Sequence, residues 1–350
     1  MRLRVIGTPE DRRVRLFREA AVRAGLSPPA VTPWREVAAG GVVPADADAV
    51  RVDSPGGDAE VDRLLRGADR VARHGEIVGF ADAYRGMVAA VSRLEDAGLP
   101  LLTTASDVAV LCDKRRCHRV LAHAGVPVPE ALPDVDGYEA LRRSGVRRVF
   151  VKPAHGSSAS GVLAVAFGSR GRVAAYTSVE RDGGRLFNSL RVRRYDDEHQ
   201  VAGIVDRLAP DGLHVEEWIP KAALGAHVID LRVVVTAGRP VHVVARAARG
   251  PLTNLHLGNS RADVDAVRAA AGPALWEAVA DTCVRAAACF RSSLHVGVDV
   301  LLARRWRGHA VGEVNAFGDL LPGVLADGRD TYSEQLDALL SGRFETWRAW

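Results

Sequence analysis

Short apolar runs that alternate with amphipathic segments constrain the fold of this chain more than any other feature. Up to about residue 105, helical patterns over 10–24, 58–67 and 83–97 separate the strand-like runs Leu3–Ile6, Ala49–Val52, Ile77–Phe80 and Leu101–Thr104. Strands separated by helices favour a parallel sheet, so these residues predict a small α/β unit. Pro100 and the polar residues after it place the end of this unit at about residue 107.

From residue 113 onwards the pattern is that of an α+β protein. A helix is expected over 113–124, before the turn Gly125-Val-Pro-Val-Pro129, and a shorter one over 138–143. The longest helical pattern, 262–290, contains a break at Gly272-Pro273. Strands are expected over 148–152, 162–167, 172–176, 213–219, 231–236, 240–247, 297–303 and 310–315. The prediction is an α/β and α+β protein with domains at 1–107, 108–212 and 213–350.

Composition excludes several classes of protein. A chain of 350 residues is longer than a single hydrophobic core supports, since cores stop growing at roughly 250 to 300 residues. No run reaches the about 18 apolar residues that cross a bilayer, and the net charge of +4 is spread along the chain. Neither a membrane nor nucleic acid is therefore an expected partner. The four cysteines form no CxxC pair, which argues against zinc and disulfides and favours the cytoplasm.

Lysine is unusually rare in this chain. Only three of the 47 basic residues are lysine, namely Lys114, Lys152 and Lys221, and the others are arginine. Lysine is a compact point charge whereas arginine is a planar fork, so a site that needs the former resists the exchange. A lysine retained against this bias therefore indicates a position that needs the chemistry of lysine.

Lys152 ends a predicted strand and opens a loop rich in glycine and serine. Such a loop lets backbone N–H groups and hydroxyls approach phosphate oxygens, while the lysine supplies the opposite charge. The candidate phosphate-binding residues of this loop are Gly156, Ser157, Ser158 and Gly161. Taken alone, the segment could equally be a flexible turn.

Two predicted strands near the C-terminus carry oxygen-bearing side chains among apolar residues. They are Asp299 on the first strand and Glu313 and Asn315 on the second. Glu313 and Asn315 share one face because strand side chains two apart project together. A buried carboxylate needs a cation or hydrogen-bond donors. Carboxylate and amide oxygens suit Mg²⁺, but pairing with arginines would satisfy the acids equally well.

Between about residues 106 and 325, the order and spacing of these pieces resemble the ATP-grasp superfamily, especially the branch with glutathione synthetase and ribosomal-protein glutamate ligases. The pieces are Asp113-Lys114 before Gly-Val-Pro-Val-Pro, Val-Lys152-Pro with its loop, Val215–Pro220, Asp230-Leu-Arg232, Arg246, Asn254, Gly-Val-Asp299 and Glu313-Val-Asn315. The resemblance implies that the N-terminal α/β unit precedes a two-subdomain ATP-grasp fold that clasps ATP.

The resemblance also implies roles for individual residues. Lys114 and Lys152 would contact the ATP phosphates, with the glycine- and serine-rich loop closing over them. The adenine-binding segment would comprise Glu216, Glu217, Trp218 and Ile219. The metal, Mg²⁺ or alternatively Mn²⁺, would be held by Asp299, Glu313 and Asn315. The catalytic residues would be Arg232, Arg246, Lys152 and Asn254.

Two departures from the family pattern stand out. Lys221 occupies a position where relatives often place an acidic residue for the ribose hydroxyls, which puts ribose contact there in doubt. The insertion-like segment Phe317-Gly-Asp319 follows the metal-binding asparagine, where substrate could be bound. The second departure suggests an unusual acceptor or donor.

The function implied is an ATP-dependent ligase that joins a carboxylate to an amine through an acyl phosphate, on a peptide-like or natural-product substrate. A kinase with the same nucleotide site is one alternative. A non-catalytic ATP-binding module that regulates partners is another. The expected partners are small-molecule or peptide carboxylates and amines, and relatives commonly form homo-oligomers.

Overall fold

The computed structural model describes all 350 residues and contains three separate β-sheets. The N-terminal sheet has the parallel order β2-β1-β3. Its unit comprises β1 Leu3–Gly7, α1 Arg12–Arg23, β2 Ala30–Pro33, α2 Trp34–Ala38, β3 Ala49–Val52, α3 Ala59–Arg66, α4 Phe80–Asp96 and α5 Ala105–Leu111. Every residue of β1 is buried, as a central parallel strand requires. The predicted parallel α/β unit is confirmed.

Two strands predicted in this unit are wrong. Residues 77–79 form no strand of the N-terminal sheet, and Phe80 begins α4. Instead, Ile77 N–H donates to Leu186 O at 2.8 Å, far away in the sequence. Leu101 makes a single parallel bridge to Val50 and no strand follows it. A four-residue apolar run does not distinguish a buried loop from a strand, which explains both errors.

The second sheet is antiparallel and five-stranded, in the order β7-β6-β5-β4-β8. The elements of this unit are α6 Lys114–His123, α7 Tyr138–Arg143, β4 Arg148–Pro153, β5 Leu163–Phe167, β6 Val173–Asp182, β7 Arg185–Tyr195, α8 Glu198–Leu208 and β8 Leu213–Glu217. Helices α7 and α8 cover one face through Leu141, Ile204 and Leu208. The strand β8 lies beyond the predicted boundary at residue 212, yet it pairs with β4 and so belongs to this sheet.

The third sheet is also antiparallel, with a main path β12-β11-β10-β13-β14 and β9 paired to β10. Its elements are β9 Ala223–Leu224, β10 His227–Thr236, β11 Arg239–Ala248, β12 Ser260–Ala262, α9 Val264–Ala271, α10 Pro273–Ala288, β13 His295–Leu302 and β14 His309–Asn315. The helix break at Gly272-Pro273 is confirmed. Helix α10 covers one face of this sheet, and the opposite face carries polar residues that include Asp230, Arg232 and Asp299.

Two helices that the sequence did not predict, α11 Thr331–Leu340 and α12 Arg343–Ala349, complete the chain. Helix α11 packs against α1 of the N-terminal unit, where the rings of Phe17 and Tyr332 meet at 6.3 Å. The C-terminus is thus attached to both the first and the third sheet. None of the helices combines the length and the hydropathy that crossing a bilayer requires.

Candidate active site

The first residue of α6 joins the second and third sheets. Lys114 Nζ donates to Gly156 O at 2.6 Å and lies 3.2 Å from the Glu313 carboxylate on β14. Asp113 caps the helix by accepting from the N–H groups of Arg115 and Arg116, which fixes where the helix begins. Lys114 therefore lies between the glycine- and serine-rich loop and the candidate metal ligands.

The loop between β4 and β5 has an unusual backbone. Ser158 and Ala159 adopt φ of 56° and 58°, in the left-handed region that side chains other than glycine rarely adopt. At Gly161, with φ 73°, an added Cβ would lie 2.6 Å from Pro153 Cγ. Both predicted serines, Ser157 and Ser158, are exposed. Turns with left-handed residues make concavities of backbone N–H groups that bind anions.

His155, at the start of this loop, is buried rather than directed into the loop. Its ring stacks on Tyr84 at 4.0 Å and an interplanar angle of 14°, and Nδ1 lies 3.3 Å from Cys112 O. Burial lowers the pKa of His155, although Asp113 opposes that effect. The histidine therefore anchors the loop to the N-terminal unit and to α6.

Lys152 pairs with the first of the predicted adenine-binding residues. Lys152 Nζ lies 2.5 Å from Glu216 Oε1, and His214 Nε2 lies 2.9 Å from Glu216 Oε2. Burial raises the pKa of Glu216, but Lys152 and His214 outweigh it and lower the value to about 2. Lys152 Nζ also lies 3.4 Å from Gly312 O, so the lysine spans the cleft between the two antiparallel sheets.

The segment after β8 has the form of a hinge between these sheets. Glu217 N–H donates to Glu130 O and Trp218 N–H to Arg148 O, at 2.7 and 3.1 Å. The Trp218 ring packs on Phe150 with centroids 5.6 Å apart. The N–H of Ile219 donates to no other protein group, so of the predicted hinge amides this one is available to a purine.

Charged side chains of both signs form a row across one face of the third sheet. Strand register places Asp230 opposite Arg246, Arg232 opposite Asp299, and Asp299 opposite Glu313. Directly opposite side chains lie about 5 Å apart, so each is a neighbour of the next. We call Lys221, Asp230, Arg232, Arg246 and Asp299 the charged row.

Asp299 is held by two arginines. Arg232 binds it in a bidentate manner, with Nε–Oδ1 at 2.5 Å and Nη2–Oδ2 at 3.0 Å, and Arg246 Nη1 lies 3.2 Å from Oδ1. Burial raises the pKa of Asp299, and the two arginines lower it to below its ordinary value. The arginine pairing that the sequence left open for this acid is therefore present.

The predicted metal ligands nevertheless lie together at the edge of the charged row. Asn315 is opposite Gly297 and Glu313 opposite Asp299, so the three oxygen-bearing side chains occupy adjacent positions on two paired strands. The Glu313 side chain is 29% exposed, and Asn315 Nδ2 donates to Gly297 O at 3.3 Å, which leaves its Oδ1 to other partners. No group of three His, Cys, Asp or Glu side chains suited to a metal exists in the chain, and only two of the three side chains at this site are carboxylates. Two carboxylates and one amide fit a hard cation such as Mg²⁺.

Asp230 and Thr253 also belong to this site, although the sequence predicted no role for either side chain. Asp230 accepts from Arg246 Nε and from Lys221 Nζ, both at 2.7 Å, and Thr253 Oγ1 donates to it. The predicted catalytic Asn254 follows Thr253 and begins a loop whose Leu257 packs against the second sheet. Two features of the sequence could have indicated this part of the site: the aspartate two residues before Arg232, and Lys221 as the third rare lysine.

The segment after Asn315 touches the N-terminal unit, but Asp319 is not free to bind substrate. Asp319 is fully buried, and its Oδ2 lies 2.7 Å from Arg51 of β3 and 2.9 Å from Gln335 of α11. Of the residues before it, Gly318 O accepts from Arg232 Nη1 of the charged row at 3.2 Å, and Phe317 O accepts from Arg13 of α1. Asp319 therefore links β3 to α11. A substrate-binding role for this segment is left to Phe317 and Gly318.

No family profile and no curated protein sequence matches the chain. Solved structures do match it. D-cycloserine synthetase DcsG aligns with a TM-score of 0.61 at 17% identity, over 97% of this chain and 99% of that one. The ATP-grasp ligase PsnB, complexed with a phosphomimetic variant of minimal precursor, Mg and ADP, aligns with a TM-score of 0.55 at 20% identity, over 97% of each chain.

D-alanine–D-alanine ligase from Bacillus anthracis, complexed with ATP, aligns with a TM-score of 0.56 at 15% identity, over 100% of this chain and 99% of that one. These neighbours match all three sheets of the chain, because the alignments cover nearly its whole length. They confirm the predicted fold class. The chain therefore has the ATP-grasp fold.

Proposed function

We propose that the protein is an ATP-dependent carboxylate–amine ligase that acts through an acyl phosphate. One observation supports the proposal. The charged row and its neighbour Glu313 lie on one side of a cleft, and Lys114, Lys152 and the loop 154–161 lie on the other side. Cationic donors on two sides of a cleft are the arrangement that phosphoryl transfer needs, because charge spreads over the transferred group. Fold alone does not identify a reaction, whereas these side chains constrain the chemistry that the cleft can perform.

Each group has a separate part in the proposed reaction. Lys114, Lys152 and the loop N–H groups bind the phosphates, while the hinge amide of Ile219 binds the purine. Arg232 and Arg246 stabilise the charge on the phosphoryl group as a substrate carboxylate attacks it. An amine near Asn254 then displaces phosphate from the acyl phosphate, and the new bond is an amide.

Mg²⁺, when held by Asp299, Glu313 and Asn315, would neutralise phosphate charge during the transfer. Around it, Lys114 orients the loop and Glu313 by contacting both. Arg232 orients Asp299 through its bidentate pair. The division into an N-terminal unit and two clasping subdomains remains our proposal for the domain organisation.

The substrates that we propose are peptide-like or natural-product carboxylates and amines. Structural neighbours are named for D-cycloserine synthesis, for D-alanine–D-alanine ligation and for a complex with a precursor peptide. The common element of these names is a small or peptidic amino compound. Arg13 of the N-terminal unit donates to Phe317 O, next to the Gly318 carbonyl that accepts from Arg232, and these residues would contact such a substrate.

The test is ATP consumption with Mg²⁺ and pooled carboxylates and amines. We expect substrate-dependent release of ADP and phosphate that is lost in Lys152→Ala and kept in Arg268→Ala, which removes an exposed charge on α9. Once a substrate is found, a carboxylate labelled with ¹⁸O should transfer label to inorganic phosphate. Label that stays in a phosphorylated product would indicate a kinase, and nucleotide binding without turnover by any pool would indicate a regulatory module.

A further inference from the structure

Lys221 is buried within the charged row, and its ammonium group is directed at Asp230 and Thr253. Its Nζ lies 2.7 Å from Asp230 Oδ2, 2.7 Å from Thr253 Oγ1 and 3.3 Å from Pro251 O. Three acceptors around one ammonium match the three N–H donors of a lysine. A planar guanidinium could not satisfy the same acceptors, which accounts for a lysine in a chain that otherwise uses arginine.

The five side chains of the charged row do not balance in charge. Lys221, Arg246 and Arg232 are cations, and only Asp230 and Asp299 are anions, so the row carries one net positive charge. The neighbouring pair of Lys114 and Glu313 is neutral and leaves that excess unchanged. A buried excess charge is costly unless an opposite charge is bound.

Lys221 also determines where Arg246 lies. Asp230 accepts from Arg246 with Oδ1 and from Lys221 with Oδ2, so its two oxygens are divided between the two cations. Arg246 thereby keeps its Nη1 for Asp299, at 3.2 Å. Without the lysine, Asp230 would hold Arg246 as its sole cationic partner and would draw the guanidinium away from Asp299.

We infer that Lys221 is a positioning residue that neutralises Asp230, and so gives the charged row the net positive charge that binds the transferred phosphoryl group. This inference rests on the proposed function, because the phosphoryl group is that of ATP. An acidic residue at this position would contact the ribose. Lys221 would instead act electrostatically at the phosphate end of the nucleotide.

The experiment compares two nucleotides in the presence of Mg²⁺ by calorimetry. AMPPNP carries a third phosphate group and ADP does not, so the ratio of their dissociation constants reports on the γ-phosphate alone. Removing one charge about 10 Å from an anion, at an effective dielectric constant of about 20, changes affinity about tenfold. Lys221→Met should therefore weaken AMPPNP binding about tenfold and leave ADP binding within about twofold.

The double variant Lys221→Met/Asp230→Asn removes a cation and an anion together, so the net charge stays at the wild-type value. We expect it to recover the wild-type ratio to within about twofold, which a merely destabilised fold would not do. An unchanged ratio in Lys221→Met, or an equal loss in the double variant, overturns the inference. If Lys221→Met does not fold, the double variant alone decides. A wild-type ratio in the double variant then supports the inference, and a tenfold loss of AMPPNP affinity relative to ADP overturns it. Failure of the proposed function is distinguishable, because it would appear as absent ligase turnover in the ATP-consumption assay, whereas the ratio of the two dissociation constants decides this inference.

Discussion

The glycine–serine loop allows a matched pair of substitutions that tests whether its backbone must lie where the structure has it. Gly161 ends the loop with φ 73°, and a Cβ there would lie 2.6 Å from Pro153 Cγ and 3.2 Å from Leu208 Cδ2. Gly171, in the turn after β5, has φ 72° and nothing within 4 Å of an added Cβ. Alanine at the two positions thus imposes the same backbone strain but different contacts.

The magnitudes follow from these geometries. The left-handed conformation costs alanine about 1–2 kcal/mol at either position. At Gly161 the new methyl group must also displace Pro153 or Leu208, and overpacking of this kind costs about 1–3 kcal/mol more. Gly161→Ala should therefore be less stable than Gly171→Ala by about 2 kcal/mol, although the chemical change is identical.

Urea unfolding of both variants measures this difference, with ADP binding as a second readout. The Gly161→Ala loop must shift away from Pro153, so we expect its affinity for ADP to fall about tenfold or more while Gly171→Ala binds as the wild type does. Equal destabilisation of the two variants would show that the contact with Pro153 is not limiting. Equal ADP affinity would show that the position of this loop does not control phosphate binding.

Three further outcomes are expected. Glu216 has a pKa of about 2 instead of 4.5, so its ionised form stabilises the fold above about pH 4.5. This stabilisation is lost as the pH falls from 4.5 towards 2. In Glu216→Gln, the urea concentration at the unfolding midpoint should therefore depend less on pH over this range than it does in the wild type. Glu313→Gln should weaken Mg²⁺ binding to the ADP complex about tenfold in a calorimetric titration, whereas Glu345→Gln, which alters an exposed side chain, should not. Arg51→Met leaves two buried carboxylates without their cation and should lower the free energy of unfolding by about 3–5 kcal/mol, against less than about 0.5 for the exposed Arg2→Met.

Elements with a regular apolar pattern or a strong helix breaker could be predicted from the sequence. The helix 138–143 and the strand 49–52 have the predicted bounds, and Gly272-Pro273 separates two helices as expected. The strand β7 was not predicted, because its outer half consists of arginines and exposed apolar residues, with Leu190 74% exposed. Helix α11 was missed as well, although its buried face packs on α1.

Contacts between distant segments account for what the sequence could not show. Residues 75–77 pair with β7, since Ile77 N–H donates to Leu186 O and Asn188 N–H donates to Gly75 O at 2.7 Å. No local pattern in either segment encodes that pairing. In the same way, the sequence marked Lys221 as a rare lysine and Asp230 as part of a motif, but it did not show that the two side chains pair. Their importance comes from strand register, which places Asp230 directly opposite Arg246.

The pairing of both cleft lysines with carboxylates bears on how nucleotide and cation would bind together. Lys114 contacts Glu313 at 3.2 Å and Lys152 contacts Glu216 at 2.5 Å, so each cation already has an anionic partner. Glu216 is buried and would keep its lysine, whereas Glu313 is partly exposed and can turn away. Lys114 would then exchange this carboxylate for a phosphate oxygen, and Glu313 would become free for a cation. Because each exchange leaves the other partner unpaired unless both occur, the geometry favours binding of ATP together with its metal over binding of either alone.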